Sequence, residues 1–265
     1  MTFGVEASRL IVTTTQPREE QIKLAQELAA RVGGQYVSRG NRSVKQLKAQ
    51  GYSIVVVEAS QITWYPPGEG RVFFHPSMAK LRIKECRTKG RDQMVEALGL
   101  RPGAEVLDCT LGLGADAIVA SFVVGHTGRV VGIEASPVLA ELVRWGLSCY
   151  VEPNPELTAA MRRIEVVTAD HLDYLRSLPD QSFDVVYFDP MFRRPILASS
   201  ALKPVRRWVN SDPLRLEAVQ EAQRVSRARV VMKEHRGSSE FTRLGFTEVR
   251  GGKYSRVAYG IWEKT

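Results

Sequence analysis

The sequence is poor in cysteine: Cys86, Cys109 and Cys149 are odd in number and far apart. That leaves no disulfide framework and no closely paired thiols of the kind that hold zinc or run redox exchange. Histidine is scarce too, at four residues. His171 and the stretch Lys233-Glu234-His235-Arg236 lack metal or triad partners at useful spacing, so metal catalysis is not expected. No apolar run reaches the roughly 18 residues of a membrane span, and Glu6 stands early in the amino-terminal segment, which has no continuous apolar core of the signal-peptide type. A cytoplasmic protein without a membrane role is expected. Internal repeats and low-complexity tracts are also missing.

What is present is an ordinary globular composition, 44% apolar and 25% charged, which argues against long disorder and fibrous classes. The net charge of +8 is unevenly spread. Residues 1–90 hold 14 Lys and Arg against 7 Asp and Glu, residues 91–200 hold 9 against 15, and residues 201–265 hold 14 against 7. Basic flanks around an acidic middle suit a polyanion held outside a site for a cationic cofactor. A solvated basic surface on a soluble enzyme is the competing reading.

Along the chain, a β-rich run at Arg9–Thr15 leads through Pro17 into a helix with Ile22, Ala25, Leu28 and Ala29 on one stripe. A strand at Gln35–Ser38, a helix from about Ser43 to Gln50, a strand at Ile54–Val57 and a hairpin of Ile62–Tyr65 with Val72–Phe74 complete a small α/β domain, residues 1–80. Met78–Leu100 reads as largely helical. From Ala104 strands and helices alternate: Val106–Cys109, a helix from Ala115, Val130–Ile133, a helix from Pro137, Ile164–Val167, Asp184–Phe188, a helix at Leu214–Val225 and Arg229–Lys233. Such alternation predicts a doubly wound, mostly parallel sheet over residues 81–265, closed by an antiparallel hairpin of Thr247–Arg250 and Arg256–Trp262.

The run Val106-Leu107-Asp108-Cys109-Thr110-Leu111-Gly112-Leu113-Gly114 is a strand entering a glycine turn, where backbone can approach a nucleotide-type ligand. Glu134 closes the next strand, placed to accept ribose hydroxyl hydrogens. The glycine pattern also satisfies a nicotinamide motif. Three features favour S-adenosylmethionine: Asp108 before the turn repels diphosphate but suits a cationic methionine moiety, Asp170 is placed for an adenine amino group, and Asp189-Pro190 supplies a methyl-acceptor site. Asp116 and Asp170 could instead be helix caps.

Asp189-Pro190-Met191-Phe192 ends the apolar run Asp184–Phe188, setting a carboxylate, a stiff turn and a flat ring at the carboxyl edge of the sheet. A base amine is a weak nucleophile because its lone pair is delocalised. Asp189 and the Pro190 carbonyl can accept its N–H bonds and Phe192 can stack on the base. Arg193, Arg194, Lys203, Arg206, Arg207 and Trp208 follow as cations with an aromatic, suited to phosphate and base contact.

The combination of Leu107–Ala117 with Asp189-Pro190-Met191-Phe192 resembles the ribosomal small-subunit methyltransferase J family, as a distant bacterial branch. The resemblance covers most of residues 76–265. It implies a Rossmann-like class I methyltransferase that methylates guanine N2 in small-subunit ribosomal RNA with S-adenosylmethionine. It carries cofactor contacts to Ala115, Asp116, Glu134, Ala135, Asp170, His171 and Asp189. Adenine N6 or a DNA amine, a small-molecule acceptor, and a cofactor-binding assembly protein without turnover are the alternatives. Ala115 stands where the family form has Arg, and Asp170-His171 where it has two serines.

Overall fold

A computed structural model describes residues 9–68, 70–190 and 212–264. They form two compact units, one of residues 9–75 with 135–150, the other of 76–134, 151–190 and 212–264. The first contains β1 (Leu10–Thr14), α1 (Glu19–Val32), β2 (Gln35–Tyr36), α2 (Val44–Ala49), β3 (Ser53–Val57), β4 (Ile62–Tyr65) and β5 (Val72–Phe73). Its sheet order is β2-β1-β3-β4-β5, with β1 parallel to both β2 and β3 and the last two strands antiparallel. Every residue of β1 and β3 is buried, as continuous apolar strands covered on both faces should be. Gly33 (φ 68°) ends α1 in the left-handed region, and Ser43 and Gln46 make a reciprocal cap on α2.

The second unit begins with α3 (Ser77–Lys89) and α4 (Gln93–Leu98). The single helix read over 78–100 is therefore two. Gly90 (φ 65°) stops the first, and Asp92 caps the second by accepting from the Met94 and Val95 N–H groups at 3.0 and 3.1 Å. There follow β6 (Glu105–Asp108), α5 (Ala115–Val124) and β7 (Arg129–Glu134). The next helix, α6 (Pro137–Cys149), packs within the first unit, and the second resumes with α7 (Pro155–Arg162), β8 (Ile164–Thr168), α8 (His171–Ser177), β9 (Phe183–Phe188), α9 (Leu216–Val225), β10 (Ser226–His235), α10 (Glu240–Arg243), β11 (Glu248–Arg250) and β12 (Val257–Glu263).

Its seven-stranded sheet has the order β11-β12-β10-β9-β6-β7-β8. The five strands from β10 to β8 are parallel, and β12 pairs antiparallel with both β10 and β11. This is the Rossmann-like arrangement with a terminal antiparallel hairpin that the alternation of elements predicts. Leu107, Val186, Phe188, Val230 and Met232 from the central strands join Leu172, Ala218, Val219 and Ala222 from α8 and α9 in one buried cluster. The strand order reverses between β6 and β9, which opens a crevice at their carboxyl ends.

Helix α6 contains Gly146, where an added Cβ would lie 2.1 Å from Phe74 Cγ. Alanine is the better helix former by about 1 kcal/mol, but overpacking costs about 1–3 kcal/mol. Since the ring is buried at 4% exposure, the steric effect wins. Gly146→Ala should lower the melting temperature by several degrees in thermal denaturation; an unchanged or raised midpoint would contradict this packing.

Candidate active site

The crevice between β6 and β9 is held by short bonds around Thr110. Its backbone N–H donates to Asp108 Oδ1 at 3.0 Å, and its Oγ1 accepts the Asp189 N–H at 2.6 Å. One hydroxyl thus ties the glycine turn to the start of Asp189-Pro190. The turn itself is closed by Gly114 N–H to Leu111 O at 2.8 Å, with Gly112 and Gly114 at φ 53° and 79°. Gly112 N–H also donates to Glu134 Oε2 at 3.2 Å, so this carboxylate organises the turn it faces. Gly114 offers no side-chain cap to α5, whose first residues are Ala115 and Asp116. Ala135 follows Glu134 in the chain and opens the segment that belongs to the first unit.

Asp116 does not serve as a cap. One oxygen pairs with the Arg82 guanidinium, and the other accepts from Tyr187 Oη at 2.8 Å and Lys233 Nζ at 3.1 Å. Lys233 Nζ also reaches Asp189 Oδ2 at 2.7 Å. Arg82 in turn grips Asp92 with two bonds of 2.8 Å. Parallel pairing sets this up: Met232 lies opposite Phe188, so the next residues, Lys233 and Asp189, emerge side by side at the sheet edge.

Burial works against the charge on Asp116, yet Lys233 and Arg82, with the Tyr187 hydrogen bond, hold its carboxyl well below the usual range. Burial also opposes charge on Lys233, but Asp116 and Asp189 outweigh it and keep the ammonium protonated well above the ordinary lysine range. The sunken position of Asp189 pushes its carboxyl up to about 6, with Lys233 pulling down and Asp116 pushing up. Asp108 is pushed up to about 8 by burial, aided by the Asp116 and Asp189 charges and resisted by Thr110. No cation among the described residues reaches it. Burial and the two neighbouring carboxylates thus favour the neutral form of Asp108, and a cationic guest beside it would draw out its ionised form where a diphosphate would oppose it.

At the far side of the crevice, Asp170 Oδ1 caps α8, accepting from the Leu172 and Asp173 N–H groups at 2.9 and 3.3 Å, and lies 3.7 Å from Arg215. His171 stands edge-on to Phe188 with ring centroids 5.8 Å apart. Burial lowers its imidazole, favouring the neutral form, and its Nε2 is buried without a partner among the described residues. Pro190 lies at the edge after Asp189, whose side chain is 28% exposed. Phe192, Arg193, Arg194, Lys203, Arg206, Arg207 and Trp208 lie outside the described residues. No group of three His, Cys, Asp or Glu is arranged for a metal ion, and no helix is long and apolar enough to cross a membrane, among the described residues.

Lys233, Arg82 and Thr110 are the residues that sequence reasoning did not assign to the site. Thr110 was visible inside the glycine motif. Lys233 had one signal, a cation directly following the apolar run Val230-Val231-Met232.

A parallel sheet with a glycine turn after its first strand, an acid ending the second and Asp-Pro ending the fourth defines a class I methyltransferase fold. The family model described as "Putative SAM-dependent methyltransferase" matches residues 48–256, and the chain belongs to that family. S-adenosylmethionine is therefore its methyl donor. Among relatives, "Uncharacterized protein YpiP" of Bacillus subtilis (strain 168) is 39% identical over 253 residues, covering 95% of this chain and 98% of the relative. "Ribosomal RNA small subunit methyltransferase J" of Coxiella burnetii (strain RSA 331 / Henzerling II) is 35% identical over 63% of this chain and 65% of its own length. The protein of the same name from Nitrosococcus oceani is 29% identical over 82% and 85%. The crystal structure of the SAM-dependent methyltransferase NGO1261 from Neisseria gonorrhoeae shares the fold, with a TM-score of 0.67 at 19% identity over 96% of this chain and 95% of that one.

Lys233→Met removes the cation that holds Asp189 down, so the Asp189 carboxyl should move above 6. An acid that must be ionised to accept a hydrogen bond gives a rate that falls as pH drops through its pKa. Wild-type kcat/KM should fall tenfold per pH unit below about 6, and Lys233→Met should shift that limb upward by at least about one unit. The variant should also lose about 3 kcal/mol of stability, because two carboxylates lose their shared partner. An unmoved acid limb in a folded variant would contradict the assignment.

Proposed function

We propose that the chain transfers a methyl group from S-adenosylmethionine to an exocyclic nucleobase amine, guanine N2 of small-subunit ribosomal RNA. The observation that carries this reading is the Asp189 carboxylate at the carboxyl edge of β9, steadied by Lys233 and joined through Thr110 to the glycine turn. The donor supplies an electrophilic methyl on a sulfonium. Asp108 balances its positive charge, Gly112 and Gly114 admit it close to the backbone, and Ala115 and Asp116 line the start of α5 beside it. Glu134 takes the ribose hydroxyls, with Ala135 next to it, and Asp170 and His171 face the adenine.

On the acceptor side, Asp189 and the Pro190 carbonyl accept the amine N–H bonds, which localises the nitrogen lone pair toward the methyl. Phe192 stacks on the base, and Arg193, Arg194, Lys203, Arg206 and Arg207 contact phosphates. Asp189, not Lys233, takes the proton lost after transfer, because Lys233 is already protonated between two carboxylates. Guanine fits an ionised acceptor because it presents a ring N–H beside its amine, two donors on one edge, whereas adenine presents a bare ring nitrogen there. The relatives named ribosomal RNA small subunit methyltransferase J support ribosomal RNA as the substrate. On this reading the unit of residues 76–134, 151–190 and 212–264 carries the transfer chemistry, the unit of residues 9–75 with 135–150 adds an RNA contact, and the reaction belongs to the cytoplasm.

The test is incubation with labelled S-adenosylmethionine and small-subunit ribosomal RNA from cells lacking the gene, followed by nucleoside mapping. Wild type should yield labelled N2-methylguanosine, and Asp189→Ala should lower the yield by at least about a hundredfold. Label in N6-methyladenosine would transfer the reading to adenine. Label only in small metabolites would end it.

A further inference from the structure

The tip of the β11–β12 hairpin, residues 251–256, carries a feature that the fold does not use. Tyr254 is 89% exposed, Lys253 Nζ sits 5.5 Å from the centroid of its ring, and Arg256 is exposed beside them. Neither Lys253 nor Arg256 pairs with a carboxylate among the described residues, and residues 249–257 contain no acid. An aromatic ring held in water with one cation against it and a second two residues on gains nothing from the core and suits a base with its flanking phosphates.

The tip is braced. Arg236 Nη1 donates to Gly252 O at 2.8 Å and Lys253 O at 2.9 Å, and its backbone N–H donates to Arg256 O at 2.9 Å. Gly252 N–H donates to Gln93 Oε1 at 3.4 Å. Beside it lies an open hollow of about 210 Å³ bordered by Gln93, Glu96, Arg250 and Tyr259. The position is informative as well. Tyr259 pairs with Lys233, which is level with Asp189, so the tip rises beyond the same carboxyl edge as the candidate acceptor site, two strands or about 10 Å to one side.

Resting on the proposed RNA substrate, we infer that this hairpin tip is a docking surface for the single-stranded RNA flanking the target nucleotide, with Tyr254 stacking on a base and Lys253 and Arg256 contacting its phosphates. Stacking is sequence-tolerant, so the tip supplies affinity and orientation, and the acceptor pocket supplies the choice of base. The tip touches no reacting atom and should act on KM rather than kcat.

The experiment is fluorescence anisotropy of a labelled, unmodified small-subunit ribosomal RNA transcript at several salt concentrations, with donor affinity and melting temperature measured in parallel. Tyr254→Ala should weaken RNA binding about tenfold, and Tyr254→Phe should stay within about twofold of wild type. Lys253→Ala with Arg256→Ala should lower the slope of log affinity against log salt by about 1.4. Donor affinity and melting temperature should hold in all three, and in Tyr254→Ala and the Lys253→Ala, Arg256→Ala double variant KM for RNA should rise with kcat unchanged. If wild type binds and methylates RNA but Tyr254→Ala does so equally well, the docking surface is refuted and the RNA reading stands. If wild type binds no RNA, both fall.

Discussion

The ammonium of Lys233, set between Asp116 and Asp189, is the interaction on which the rest of the crevice depends. Two carboxylates brought together at a sheet edge, with water partly excluded, would repel strongly, and one would take up a proton. A single cation shared between them lets both remain in place. Arg82 performs the same service between Asp92 and Asp116. Three carboxylates, Asp92, Asp116 and Asp189, thus share two cations, while Asp108 lies buried with no cation among the described residues reaching it.

Thr110 gives this electrostatics a fixed frame. Its hydroxyl accepts from the Asp189 backbone while its N–H holds Asp108, so the glycine turn and the Asp189-Pro190 segment are linked through one residue. The pairing of Asp108 with Tyr187 across β6 and β9 puts them there, and Tyr187 repays the proximity by bonding Asp116. Catalysis by alignment needs this sort of rigidity, since a methyl passes in line between two atoms and small misplacements cost rate.

The sheet was legible because the apolar stretches of its central strands β6, β7 and β9 each run up to an acid, Asp108, Glu134 and Asp189. Asp108, Gly112, Glu134 and Asp189 could be located because strand ends in a parallel sheet share one edge. Lys233 and Arg82 were not legible. Their partners lie 44 to 117 and 10 to 34 residues away, and only strand register or helix packing brings them together. Lys233 also reads as one member of a basic and acidic cluster. The helices α7 and α8 are hidden in the sequence for local reasons: Pro153 and Pro155 look like a loop, although Asn154 caps and Pro155 starts α7, and Asp170 suits an adenine amino group as well as the cap that its Oδ1 makes.

Helix α6 has a bearing on how the chain can be divided. It begins three residues after β7 ends yet packs with the first unit, where its Gly146 receives Phe74. The polypeptide therefore returns to its amino-terminal unit midway through the parallel sheet. No single scission separates the two: a fragment starting at residue 76 would keep α6 but lose α1 and β4, against which it packs, and the Phe74 ring at Gly146. Synthesis imposes the same interdependence in time, for the early unit emerges from the ribosome incomplete and gains α6 only after β6 and β7 have followed.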